Sequence, residues 1–213
     1  KRLSELGSKF SENVLDATNN WSRQCTAHEL RGLPDSALGL AAQAAQRAGL
    51  EGYLITLDFP SLQPVLTYCD NAELRREVYT ANCTRASEQG PDAGRWDNGE
   101  LITETLDLRR QLASLLEFDH YAELSLATKM AENPQAVVGF LEELARRSRE
   151  QARREWQELC AFAANEHGVP QLEAWDVGYY SEKHKQSRYH ISQEEVRPYL
   201  PVTRVLPGLF EVA

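Results

Sequence analysis

Apolar positions recur three and four residues apart along most of the chain, the spacing that turns one face of a helix toward a core. Leu3, Leu6, Phe10, Val14 and Ala17 predict an amphipathic helix from Lys1 to about Asn20. Trp21 to Thr26 is short and suits a strand. Asp35 follows Leu33-Pro34 and is placed to cap a helix over Ser36–Ala48, with Gly49 supplying the left-handed residue that ends it. Tyr53–Asp58 (YLITLD) is β-branched and aromatic and is bounded by Gly52 and Pro60, which predicts a strand. One strand cannot stand alone, so it is expected to pair with residues 21–26 in a small hairpin-like sheet.

After Pro64 the pattern is wholly helical. Asp70 with Glu73 resembles a capping box, and Leu74, Val78, Ala81 and Arg85 follow at helical spacing up to Gly90-Pro91. Asp97 with Glu100 repeats the device ahead of Leu101, Leu108, Leu112 and Leu115, and a short helix is expected near Tyr121–Ala127. Asn133-Pro134 opens the longest predicted helix, which ends at His167-Gly168. Its apolar positions are Val137, Leu141, Leu144, Ala145, Ala152, Trp156, Leu159 and Ala163. Its arginines interleave with glutamates as the i,i+4 pairs Glu142/Arg146, Glu143/Arg147 and Glu150/Arg154, which describes a solvated face rather than a phosphate site.

The stretch from Trp175 to Phe210 concentrates Trp175, Tyr179, Tyr180, Tyr189, Tyr199 and Phe210, and Pro198, Pro201 and Pro207 prevent it from being one helix. Ser192 with Glu195 caps a short helix that Pro198 curtails. Tyr179 and Tyr180 are the candidate substrate-binding residues, because a phenol can donate to a peptide carbonyl or a developing oxyanion. The competing role is that of core rings with satisfied hydroxyls.

Composition narrows the classes. The formal charge of −9 argues against a general nucleic-acid binder, whose affinity comes from basic groups on phosphates. No apolar run approaches the length of a membrane span, and the first residues lack the apolar core of a signal peptide. The four cysteines, Cys25, Cys69, Cys83 and Cys160, form no CxxC pair and are expected to be reduced thiols. The chain opens inside a helical pattern and stops on an uncapped apolar run, so both ends read as cut from a longer protein.

A search for chemistry finds no complete centre. None of His28, His120, His167, His184 and His190 belongs to an H-E-x-x-H pair, the arrangement that turns two imidazoles toward one zinc ion. There is no nucleophile elbow, P-loop or dinucleotide turn. The residues alone describe an acidic, mostly helical domain.

Three stretches carry more. YLITLDFPSLQPVLTYCDNAELRREVYTANCTRAS (53–87), FDHYAELSLATKMAENPQAVVGFLEEL (118–144) and the words from Trp175-Asp176 through Tyr179-Tyr180 to Tyr199-Leu200-Pro201 resemble the thimet-type zinc oligopeptidases, most closely their bacterial members. The likeness runs over essentially the whole chain. It implies a cytoplasmic zinc metalloendopeptidase of two helical lobes around a channel that admits short peptides. In that family zinc sits on an H-E-x-x-H helix with a downstream glutamate, and the motif glutamate is the base for the zinc-bound water. The motif is absent from residues 1–213, so no catalytic or metal residue carries over.

The expected fold is therefore mainly α, a helical bundle-like lobe with a minor two-stranded β element. Residues 1–60 are expected to hold helices and the small sheet, and residues 61–213 a helical channel-wall region. Zinc is expected in the parent enzyme and not in this fragment, which alone should be inactive. The expected partners are short peptides and the remainder of its own chain, with neither nucleic acid nor membrane. The alternative is a non-catalytic helical domain that binds peptide or a protein partner.

Overall fold

The helical periodicity dominates the structure, a computed structural model that describes residues 1–213, the side chains of Gln193 and Arg197 apart. The chain is mainly α, 66% helical, with a two-stranded antiparallel sheet as its β element among the described residues. It divides into two units, residues 1–22 with 80–158 and residues 23–79 with 159–213.

The first unit holds α1 (Arg2–Asn20), α5 (Gly99–Leu115), α6 (Tyr121–Leu126) and most of α7 (Pro134–His167). α1 buries Leu6, Asn13 and Ala17. The Asn13 amide donates to Asn98 Oδ1 at 2.8 Å, and Asn98 Nδ2 donates to the Phe10 carbonyl at 3.2 Å, so the polar pair is satisfied within the core. α5 packs on α1 and α6. Its Leu101, Leu108 and Leu112 are half-buried, while Leu115 is 79% exposed and leaves the predicted face. α6 is capped by an exchange that the sequence reading missed. His120 Nδ1 accepts from the Glu123 amide at 3.3 Å, and Glu123 Oε2 accepts from the Asp119 amide at 3.1 Å.

The second unit holds most of β1 (Ser22–Cys25), α2 (Asp35–Arg47), β2 (Tyr53–Thr56), α3 (Phe59–Tyr68) and most of α4 (Ala72–Cys83). It also holds the end of α7, α8 (Val177–Tyr189), α9 (Gln193–Val196), a 3₁₀ turn (Arg197–Tyr199) and α10 (Val202–Val212). α2 covers β2, and α3 packs on α8. Leu30, Ala45, Ile55, Val65, Cys69 and Val78 are almost completely buried around them. Gly49 ends α2 at φ +70°, with the Leu50 amide returning to the Ala45 carbonyl at 2.9 Å. Gly32, at φ +90°, lets the turn before α2 run against α3. A Cβ there would collide with the Tyr68 carbonyl oxygen and lie 2.8 Å from Asp70 Oδ1. The backbone link beside it joins the Asp70 amide to the Arg31 carbonyl at 2.8 Å.

Several local expectations are corrected. Asp35 is the first residue of α2 rather than its cap, which is Pro34 without a side-chain bond. α3 begins before Pro64. Pro60 occupies its first turn, where no amide is needed, and Pro64 surrenders a ladder bond inside it. Asn71, not Asp70, caps α4, its Oδ1 accepting from the amides of Glu73 and Leu74 at 3.1 and 3.2 Å. α4 ends at Cys83, short of Gly90. On α7 the expected Glu143/Arg147 pair forms, but Arg146 also goes to Glu143 rather than Glu142, and Glu150 takes Arg153 rather than Arg154. Only Leu159 and Ala163 of the α7 apolar positions are buried, whereas Leu141, Leu144 and Trp156 are each nearly half exposed or more.

Candidate functional site

α8 carries the two tyrosines singled out by the sequence. Asp176 precedes it, and Tyr179 and Tyr180 follow on its first turn. Both rings are 7% exposed and belong to a core cluster with Leu159, Ala163 and Leu172. They meet edge to face, with centroids 5.0 Å apart. The Tyr179 hydroxyl donates to Asp70 Oδ1 at 2.8 Å, so the phenol already has an acceptor. Burial, and then that bond to a carboxylate, push its pKa well above the usual phenol range; burial also raises that of Tyr180. Both phenols are therefore held protonated, as donors.

Arg75 lies over the face of Tyr179, its guanidinium carbon 4.1 Å from the ring centroid. It is 2% exposed. Nη1 donates to the Cys69 carbonyl at 2.7 Å, and Nη2 meets Asp176 Oδ1 at 2.5 Å. Nε has no hydrogen-bond partner. Asp176 Oδ2 also accepts from the Glu173 amide at 3.3 Å. Lys183 Nζ stands 3.9 Å from Asp70 and 5.2 Å from the Tyr179 centroid, completing an alternation of charges around one ring.

The sequence reading did not single out Arg75. Its signal is present, however: Leu74, Arg75, Val78 and Ala81 share the buried face of α4, and an arginine on an apolar stripe requires a buried anion. Behind the tyrosines, Phe162 packs against His167 at 5.1 Å and His184 at 4.9 Å, and His167 packs against Tyr180 at 5.4 Å. The two imidazoles thus flank a benzene ring instead of converging on a common point.

Among the described residues no three His, Cys, Asp or Glu side chains gather into a metal-holding set. The residues present do not fit a zinc centre. Nor does any described helix have the length and apolarity to cross a membrane.

The model of peptidase family M3 matches residues 65–213. Oligopeptidase A of Escherichia coli (strain K12) is 56% identical over 212 residues, which are 99% of this chain and 31% of that protein. The organellar oligopeptidase A of Arabidopsis thaliana is 41% identical over 224 residues, covering 100% of this chain and 27% of that protein. The dipeptidyl carboxypeptidase of Escherichia coli is 29% identical over 211 residues, covering 98% and 30%. The chain spans about a third of the length of the curated relatives it matches. The resemblance carried by residues 53–87, 118–144 and 175–210 is thereby established, and the chain belongs to peptidase family M3.

Proposed function

We propose that this chain is part of a cytoplasmic zinc metallo-oligopeptidase that hydrolyses short peptides, and that it forms wall of the substrate channel without holding the zinc. The observation that carries this is the 56% identity to an oligopeptidase A along 99% of the chain. Residues 61–213 serve as the wall region, with residues 1–60 and their small sheet as its support. Zinc, held by residues outside 1–213, supplies the activated water in the parent. Tyr179 and Tyr180 serve the substrate side through their rings, which fix the first turn of α8, the Tyr179 proton being already given to Asp70. Neither nucleic acid nor membrane takes part, in keeping with the charge of −9.

The test begins with the reading frame of the source gene on both sides of these residues. An H-E-x-x-H helix and a later glutamate-bearing helix are expected. The full-length protein should then cleave a quenched short peptide and lose that activity to a chelator, while residues 1–213 alone cleave nothing. A full-length protein without the motif and without hydrolysis would instead favour a non-catalytic peptide-binding domain.

A further inference from the structure

In the first unit, where every residue is described, α1 and α5 form a groove of about 300 Å³. That is the lower end of the roughly 300–1,000 Å³ of small-molecule sites. Buried Leu6 lines it, and Phe10, Ile102 and Leu106 stand around it 41%, 47% and 59% exposed. The groove owes its room to Gly7. Glycine weakens a helix interior, and no close approach requires it here, because a Cβ at Gly7 would meet nothing within 4 Å. The missing side chain leaves open space between two helices.

One end of this groove is cationic. Arg109 lines it, with its guanidinium carbon 4.9 Å from the centroid of the Tyr121 ring, a stack that fixes the plane and leaves the N–H edge free. The cations beside it are engaged: Arg2 holds Glu5 and Glu104, and Arg110 holds Asp107. Those pairs occupy the carboxylates of the neighbouring turns, and no described residue gives Arg109 a hydrogen bond or an ion pair. Thr105, one turn back on α5, also lines the groove, and its hydroxyl has no partner among the described residues either. From Ile102 to Arg109 the lining stripe of α5 runs about 10 Å by the rise of an α-helix, the reach of a medium-chain aliphatic tail. One planar cation with a hydroxyl beside it matches a single carboxylate head, and the apolar walls behind it match the tail.

From this we infer that the groove is a binding site for a medium-chain aliphatic carboxylate, its tail along Phe10, Ile102 and Leu106 over Leu6 and Gly7, its head on Arg109 and Thr105.

The test is calorimetric titration of the chain with octanoate below its micelle concentration, with octan-1-ol, which keeps the tail, and with acetate, which keeps the head. Octanoate should bind, and octan-1-ol and acetate should each bind at least about tenfold more weakly. Arg109→Gln should bring octanoate down to the level of octan-1-ol and leave octan-1-ol itself unchanged. Thr105→Val should weaken octanoate about two- to threefold. Gly7→Leu should fill the groove and abolish binding of both, while its thermal unfolding midpoint stays level or rises, since leucine is the better helix former and its Cβ meets nothing. No binding of octanoate, equal binding of octanoate and octan-1-ol, or binding that survives Gly7→Leu would overturn the proposal. So would self-association that Gly7→Leu removes in a chain that takes up no octanoate, which would give the groove to a second copy. Nothing in this site depends on the peptidase reading, so hydrolysis by the full-length protein and binding here stand or fall separately.

Discussion

Arg75 is the residue on which the tyrosine cluster depends. Its charge is buried, and one carboxylate, one carbonyl and one ring face replace the water it has lost. Removing one member of such a pair strands the other, at a cost of about 3–5 kcal/mol, whereas replacing both with apolar groups of similar volume can be nearly neutral. Asp176→Asn is therefore expected to lower the unfolding free energy by about 3 kcal/mol, and Arg75→Met combined with Asp176→Leu to recover much of that loss, both read from urea denaturation. The thiols give a second prediction. Burial raises Cys25 to about 11 and also raises Cys69. A folded-state pKa above the unfolded one stabilises the fold below the unfolded pKa, and that contribution is lost as pH rises through the folded value. The unfolding midpoint should hold up to about pH 8.5, near the ordinary thiol pKa, and fall from there toward 11, with a shallower fall in Cys25→Ala. In the native protein at neutral pH, exposed Cys83 should react with a chromogenic disulfide well before Cys25 or Cys69.

At the level of single elements, α7 sets the most demanding problem. It runs for 34 residues, yet its buried positions, Leu159 and Ala163, fall in its last turns. Over the preceding turns Phe140 is 62% exposed, Leu141 55% and Leu144 49%. Pairs such as Glu143 with Arg146 and Arg147 hold the polar side, at a few tenths of a kcal/mol each. The apolar side is left as an adhesive stripe. Phe140→Glu with Leu144→Glu should reduce self-association in sedimentation velocity while changing the unfolding free energy by less than about 1 kcal/mol. α3 shows why an element can escape a reading of the sequence. Its two prolines look like breakers, but Pro60 sits where a helix has no amide bond to lose, and burial of Leu62 and Val65 outweighs the bond missing at Pro64.

For the molecule as a whole, α1, α2, α4 to α7 and the paired strands were legible because their signals are local: spacing, Gly49, Asn133-Pro134. What escaped is long-range. Asp70 reads as a cap from its neighbours, and only the arrival of Tyr179, more than a hundred residues later, makes it a hydrogen-bond acceptor in the core cluster. On α7 the Glu143/Arg147 pair forms as its spacing expects, but the partner of Arg146 escaped because Glu143 lies within reach of it as well. Family membership was legible in whole words of sequence, and the matches along 99% of the chain bear it out. The acidity belongs to this scale too: a charge of −9 keeps like copies apart in dilute salt. Association through the open apolar surfaces should therefore increase as salt screens that repulsion, which light scattering from 0.05 to 0.5 M salt, to an order of magnitude, would register.

Gly32 sets a limit on how the chain can change. Every missense change in its codon adds a Cβ, and the space that atom needs is already filled by the Tyr68 carbonyl and Asp70, the carboxylate that receives the Tyr179 hydroxyl. At Gly7 and Gly39 an added Cβ meets nothing within 4 Å. In a library of single substitutions selected for soluble protein, the row for Gly32 should come back empty while those two rows fill.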